Sequence, residues 1–523
     1  MTEWLIKRLR ARLGPASNAT HVYDDAPADM LSLERIHRAV DRATTGRTSA
    51  ADDLASLLLA ISHRGDAELI AGTMRALIGA KPRLWLMVDV STRRSLWHAP
   101  QWTEAVADRL GAGHAGPLDL LLAACHPDGF VREAALDDDT MVVLPTLALR
   151  AADWVPELRD RARQVCRRYL NRAPAEAIVS LAPVALALRA RQAGAWLADA
   201  IDGLLRDGPP EAIAAALASE DWRVRRNAHA IVLGAGRLSV EQMVHAATAD
   251  GDLPVRIMCA QAAIRAARAM GDHETPRRLL GSGTAAVRAE AVCVLGEVGA
   301  AIEALDDRSA LVRATAQTIA RRAGTDPAVR YRALLAEQRP PNPAVIAGLG
   351  ETGIDSDIDL LRPWLAHPSS RGRAETVRAL RRRGCTSPDL LLPRLTDAVS
   401  SVTRQVTLSL SPHASSLDER ALRPLLDPSQ TRHVRQAAHR LLRARDTWTR
   451  ISVDLRLIND PEHAIRADAR ADLANWLTRD AATTYSFPSG SRADELSALV
   501  TGAEAVLGQE QTRLLRFHLG LPG

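Results

Sequence analysis

The stretch Asp221-Trp222-Arg223-Val224-Arg225-Arg226-Asn227-Ala228-His229-Ala230-Ile231-Val232-Leu233-Gly234 decides the fold of this 523-residue chain. Apolar or small side chains stand at Val224, Ala228 and Val232, positions that share one face of an α-helix. Asp221 precedes them where a carboxylate can accept a hydrogen bond from an unpaired N–H group of the first turn. The stretch therefore predicts an amphipathic helix with a capped start and one buried face.

This pattern recurs, and its centre is an apolar residue followed by arginine, which we name the anchor pair. The clear copies are Val224-Arg225, Val255-Arg256, Val287-Arg288, Val312-Arg313, Val434-Arg435 and Ile465-Arg466. Candidate caps stand three positions before the apolar residue in most copies, at Asp221, Asp252, Thr284, Ser309 and Thr431. With weaker copies near Asn342, Gly372 and Val402, the steps are 25 to 32 residues, mostly 30 to 32. Such a unit predicts two helices of about 12 residues joined by short turns.

The helix from Asp221 to Gly234 resembles the second helix of HEAT repeats, and the short period is similar to that of bacterial HEAT-like repeats of the phycobilisome-lyase type. The resemblance implies an all-α solenoid of stacked antiparallel two-helix repeats. We expect HEAT-like repeats over 211–480 and divergent repeats over 51–210, where Val131-Arg132 and Leu158-Arg159 give further copies. Residues 1–50 are expected to form an N-terminal cap helix and loop, and residues 481–523 a loop and C-terminal cap helix.

Composition supports a helical chain from a reducing compartment. Aromatic residues make up only 3% of the chain, whereas Ala, Leu and Arg, which favour helices, are abundant. The five cysteines are scattered and suit buried small side chains rather than disulfides or zinc ligands, which predicts a cytoplasmic protein. No run of about 20 apolar residues predicts a membrane span. The basic, amphipathic residues 1–13 favour a cap helix, and peripheral membrane contact is the alternative.

The sequence contains no motif that predicts catalysis, and we expect no cofactor and no metal site. The main hypothesis is a non-enzymatic scaffold that binds another protein through the concave helix face of the solenoid. The identity of that protein is not encoded in any motif.

An excess of arginine between residues 371 and 450 supports the alternative, binding to nucleic acid. This stretch holds 16 arginines against 7 acidic residues. Arginines on neighbouring stacked helices could form a basic stripe for phosphates or an acidic protein surface. The candidate residues are Arg378, Arg381, Arg382, Arg383, Arg404, Arg432, Arg435, Arg440 and Arg443. Arginines near helix ends also have a structural interpretation, because they complement the helix dipole and pair with acids of adjacent repeats.

A third hypothesis follows from the resemblance, because some HEAT-like solenoids are DNA glycosylases that hold alkylated DNA in a basic groove with aromatic residues and an aspartate. The run Asp221-Trp222-Arg223-x-Arg225-Arg226 has residue types of that kind. The remaining tryptophans are thinly spread and the chain is about twice as long as the resemblance implies, so this is the least favoured hypothesis.

Overall fold

The computed structural model describes residues 31–97, 99–136, 144–337 and 340–522. These ranges form 30 α-helices and no strand, which confirms the predicted all-α class. The chain divides into two compact units, Met1–Thr275 and Pro276–Gly523. The cap helix predicted for residues 1–13 and the loop predicted for 14–30 lie outside the described residues.

The first unit contains fifteen complete helices within its described residues. They are α1 (Leu33–Thr44), α2 (Thr48–Arg64), α3 (Ala67–Ile78), α4 (Pro82–Leu96), α5 (Pro100–Gly111), α6 (Pro117–Ala124), α7 (Gly129–Ala134), α8 (Leu144–Arg150), α9 (Pro156–Arg172), α10 (Pro174–Leu188), α11 (Ala195–Asp207), α12 (Pro210–Leu217), α13 (Trp222–Gly234), α14 (Val240–Ala249) and α15 (Leu253–Ala269). Helices two apart in sequence pack together, as α2 does with α4, α8 with α10 and α13 with α15. This packing defines a solenoid.

The second unit begins inside α16 (Glu274–Leu280). Its further helices are α17 (Ala285–Leu295), α18 (Val298–Ala304), α19 (Ala310–Arg322), α20 (Pro327–Ala336), α21 (Pro343–Thr352), α22 (Ile358–Leu361), α23 (Ser370–Arg382), α24 (Pro388–Leu391), α25 (Ser400–Leu410), α26 (Glu419–Leu422), α27 (Arg432–Arg443), α28 (Thr447–Leu457), α29 (His463–Asn475) and α30 (Ser491–Leu519). Helix α17 packs on α19, and α21, α23, α25 and α27 pack on one another in that order. This unit is likewise an α-solenoid.

The anchor pairs lie at the starts of α13, α15, α17, α19, α27 and α29, and we name these helices and the weaker copies α21, α23 and α25 the anchor helices. The apolar member of every clear pair is buried, and so is the small residue four positions later; Val255 and Cys259 of α15 are both 0% exposed. The residue eight positions later is also buried except for Leu295, which is half-buried. The predicted apolar seam is confirmed.

The helices between the anchor helices are shorter than predicted in part of the second unit. Instead of about 12 residues, α22, α24 and α26 have four residues each, and each continues as a short 3-10 segment. Pro363, Pro393 and Pro424 stand at the starts of these segments. Proline lacks the backbone donor and its ring crowds the preceding turn, so it ends a regular α-helix.

The C-terminal helix α30 bends at Gly508, whose φ of 79° lies in the left-handed region that glycine tolerates. Its apolar residues, including Leu496 and Leu515, pack with Ile451 and Leu455 of α28. None of the helices in the described residues is long and apolar enough to cross a bilayer.

Candidate functional site

The anchor arginines bind the turn that precedes their own helix. In seven copies the guanidinium group donates a hydrogen bond to the backbone carbonyl of the residue six positions earlier, over 2.5 to 3.1 Å. The pairs are Arg132 with His126, Arg159 with Asp153, Arg225 with Ser219, Arg288 with Ser282, Arg313 with Asp307, Arg373 with His367, and Arg466 with Asp460. Each bond satisfies a turn carbonyl that would otherwise need water.

The same turn residue also binds the helix start through its side chain. That side chain accepts a hydrogen bond from the backbone N–H of the capping residue two positions later. All seven turn residues do so, at 2.7 to 3.3 Å. Asp307, for example, accepts the N–H of Ser309 at 2.7 Å. These turn residues were not among those predicted from the sequence. The available signal was an Asp, Ser or His six positions before each anchor arginine.

The predicted caps fall at the starts of their helices but act in different ways. Asp221 caps α13 as predicted, since its Oδ1 accepts the N–H of Arg223 at 2.7 Å. Asp252 stands at the equivalent place before α15, and its carboxylate instead binds Arg226 through bonds of 2.8 and 2.9 Å. Arg256 occupies the anchor position of that helix.

Anchor arginines also pair with an aspartate in the turn of the next repeat. Such pairs join Arg132 to Asp153, Arg225 to Asp250, Arg288 to Asp307, Arg373 to Asp397 and Arg435 to Asp460. Where the next turn carries Pro340 in place of the aspartate, Arg313 pairs with Glu351 instead. The anchor residues named from the sequence therefore hold repeats together.

Five of the nine arginines proposed as a binding surface donate hydrogen bonds to another helix or turn. Arg381 donates to Gln405 Oε1 at 3.0 Å and to Ser409 Oγ at 3.3 Å, and burial together with Arg378 and Arg382 lowers its pKa. Arg383 binds the carbonyl of Gly353. Arg435 likewise binds Asp460 and Arg443 binds Asp472, and Arg382, whose side chain is 39% exposed, lies 3.4 Å from Glu351.

The pair formed by Arg443 belongs to a buried network between α27, α28 and α29. His439 Nε2 lies 2.6 Å from Asp454 Oδ1, and both residues are at most 2% exposed. Burial, with the Asp472 carboxylate nearby, raises the pKa of Asp454 to about 9, whereas burial lowers the pKa of His439 to about 4. At neutral pH a neutral His439 and a protonated Asp454 therefore share one buried hydrogen bond.

The other four arginines donate no hydrogen bond to another helix or turn of the described residues. Arg432 lies 3.9 Å from Glu462 and is largely exposed. Arg378 is held by Glu375 of its own helix at 2.8 Å. Arg404 and Arg440 are exposed, and their side chains make no hydrogen bond or ion pair with any described residue.

Arg378, Arg404 and Arg440 line one groove of about 430 Å³ between the anchor helices α23, α25 and α27. The exposed Ser400 and Ser401, from the first turn of α25, lie at the groove with the half-buried Gln436 of α27. None of the described residues that line it is acidic, so its field is positive. The structure thus brings together three of the nine predicted residues, whereas five others are bound to neighbouring helices or turns.

The residues behind the glycosylase hypothesis are used in local structure. Arg223 and Arg226 lie over the Trp222 ring at 4.7 and 4.6 Å. Arg225 binds the carbonyls of Ser219 and Glu220. With Asp221 capping α13 and Arg226 bound to Asp252, this set stabilises a turn between repeats.

Helix stacking of this kind defines a helical-repeat protein of the α-solenoid class. No family model and no curated protein matches the chain. Among solved structures the chain is similar to importin beta in an ammonium sulfate condition, with 11% identity over 94% of this chain and 73% of that chain and a TM-score of 0.30. It is also similar to an engineered protein, with 15% identity over 100% and 99% of the two chains and a TM-score of 0.16.

Proposed function

We propose that this chain is a non-enzymatic HEAT-like scaffold that binds another protein through the anchor helices of its second unit. The groove between α23, α25 and α27 carries the proposal. Its Arg404 and Arg440 have no internal partner among the described residues, whereas most arginines of the neighbouring helices are bound within the fold. A solenoid presents such a face without burying it, so these donors are available to a partner.

The residues best suited to acid–base chemistry near the groove support the non-enzymatic part of the proposal. His433 Nε2 lies 2.9 Å from the backbone carbonyl of Asp397, so one ring nitrogen is already bound. His439 and Asp454 face each other inside the protein rather than the groove. Their shifted pKa values follow from burial in a structural network, and such networks perturb titration without catalysis.

Nucleic-acid binding is the second candidate, and the same two free arginines favour it. Affinity for a nucleic acid grows with the number of phosphates that the protein neutralises. The internal bonds of Arg381, Arg383, Arg435 and Arg443 leave a smaller basic surface than the arginine count suggests. A protein partner with a short acidic segment requires fewer unpaired arginines than a nucleic acid does.

We also propose a cytoplasmic location. The five cysteines are all free thiols, although Cys293 is exposed and Cys385 half-buried, in contrast to the uniform burial expected from the sequence. Burial raises the pKa of Cys166 and of Cys259 to about 12, so these thiols stay protonated. Exposed unpaired cysteine suits a reducing compartment.

Co-precipitation from a nuclease-treated extract of the organism that encodes the chain tests the scaffold function. The test variant is Arg404→Glu/Arg440→Glu. The matched control is Arg322→Glu/Arg330→Glu, because Arg330 lies within α20 and Arg322 in the last turn of α19, and both are exposed.

We expect the wild type and the control to retain the same protein and the test variant to lose it. Retention that needs intact nucleic acid, or that is equal in all three chains, contradicts the proposal.

A further inference from the structure

We infer that the groove between α23, α25 and α27 binds an extended peptide segment that carries at least two acidic side chains. This inference rests on the proposed function and names the chemistry of its partner. The groove is lined by residues of three stacked anchor helices, so a peptide that contacts all three crosses the helix axes. A bound peptide that lies along the groove contacts one face of each of the three helices.

The unpaired arginines of the groove favour a negatively charged ligand. Arg404 in the middle of α25 and Arg440 in the last turn of α27 each present a guanidinium group with unused donors. Guanidinium groups bind carboxylates in a planar, two-bond arrangement. The third arginine of the groove, Arg378, is already neutralised by Glu375, so two acidic groups suffice to satisfy the site.

The polar side chains beside these arginines favour a peptide over a nucleic acid. The side chains of Ser400, Ser401 and Gln436 make no hydrogen bond with any described residue. Hydroxyl and amide groups both donate and accept, which matches a peptide main chain that offers N–H and C=O groups. A phosphodiester backbone offers acceptors. The described lining also contains no Trp, Tyr or Phe on which unpaired bases could stack.

The separation of the two arginines sets the spacing of the acids. Arg404 stands two residues after Val402, and Arg440 stands six residues after Val434, the corresponding residues of adjacent anchor helices. Adjacent helices lie about 8–10 Å apart, and the two arginines are offset by about one helical turn, which rises about 5.4 Å. Together these distances place the backbone of Arg404 about 10 Å from the backbone of Arg440. A peptide in the polyproline II conformation has three residues per turn and rises about 3.1 Å per residue, so side chains three residues apart lie on one side and span about 9 Å. The expected motif is Glu-x-x-Glu, with Asp allowed in place of Glu.

Fluorescence anisotropy with short labelled probes tests this inference. The probes are a Glu-x-x-Glu peptide, its isomer with adjacent glutamates, its Gln-x-x-Gln counterpart and a single-stranded oligonucleotide. The full-length wild type is compared with Arg404→Glu/Arg440→Glu and with the control Arg322→Glu/Arg330→Glu. Thermal unfolding of each variant establishes that it is folded, as expected for exposed side chains without internal bonds.

We expect the wild type to bind the Glu-x-x-Glu peptide more tightly than the other probes, and binding to weaken with added salt. The groove variant should lose about tenfold in affinity and the control should keep it. Tighter binding of the oligonucleotide, equal binding of the isomer or the glutamine peptide, or equal binding by the groove variant overturns the inference. If no peptide binds while partner capture still depends on Arg404 and Arg440, the inference fails and the scaffold function stands.

Discussion

Arg288 of α17 and Asp307, in the turn before α19, are joined by two hydrogen bonds of 2.8 Å each. Arg288 also donates to the carbonyl of Ser282 at 2.8 Å, and Asp307 also accepts the N–H of Ser309 at 2.7 Å. One ion pair therefore fixes two turns and links two consecutive anchor helices. The same arrangement in other copies explains why the arginine of the anchor pair recurs.

The first prediction concerns the strength of this link. Arg288→Met removes one partner and leaves Asp307, whose side chain is 16% exposed, without its cation. Breaking a buried pair in this way costs about 3–5 kcal/mol, and the partial exposure of Asp307 favours the lower end. Urea unfolding followed by circular dichroism measures the loss. Arg330→Met, at an exposed arginine, should change stability by less than about 0.5 kcal/mol. Equal stability of the two variants would show that the link contributes nothing.

The second prediction concerns pH. Because the pKa of Asp454 is raised to about 9, the folded chain keeps a proton that the unfolded chain has lost between pH 7 and 8. The folded state binds more protons in this window, so the free energy of unfolding should fall as pH rises. The fall is at most about 1.4 kcal/mol per pH unit. His439, with a pKa lowered to about 4, is neutral in the folded chain throughout this window, and the small protonated fraction of the unfolded chain at pH 7 opposes the fall only slightly.

Asp454→Asn tests this assignment, since an amide can still share a hydrogen bond with His439 but has no titratable proton. Urea unfolding at pH 7 and pH 8 should show a smaller decrease in stability for the variant than for the wild type. An identical decrease in both proteins would mean that Asp454 is ionised when folded.

The third prediction concerns helix packing. A Cβ atom at Gly350 of α21 would lie 2.5 Å from the Cβ and 2.7 Å from the Cα of Ala379 in α23. Because backbone atoms cannot move aside cheaply, Gly350→Ala should destabilise the protein by about 1–3 kcal/mol. A Cβ at Gly203 of α11 meets nothing within 4 Å, so Gly203→Ala should stabilise by about 0.5–1 kcal/mol. Effects of the same sign, measured by urea unfolding, would contradict this packing.

The sequence predicted the repeat because its signal is local. Apolar or small residues at positions i, i+4 and i+8 can be recognised within a single repeat. Val224, Ala228 and Val232 follow this pattern and are buried as expected. The lengths of the intervening helices depend on single prolines such as Pro393, and the repeat period alone does not reveal their effect.

The candidate site was predictable only as a region. Arginine counts locate 371–450, but whether a given arginine is free depends on acceptors far away in sequence, as Arg435 depends on Asp460 and Arg381 on Gln405. Arg404 and Arg440 differ from these because no acceptor among the described residues lies opposite them. That distinction is a property of packing.

Site-specific photo-crosslinking tests the central claim, occupation of the groove by a protein, most directly. A photoreactive residue replaces the exposed Ser401 at the groove, or Arg330 as the control, in cells of the organism that encodes the chain. We predict a discrete adduct at Ser401 that protease destroys, nuclease leaves intact and Arg404→Glu/Arg440→Glu abolishes. An adduct that nuclease removes, or one that persists in that variant or forms equally at Arg330, would contradict the account.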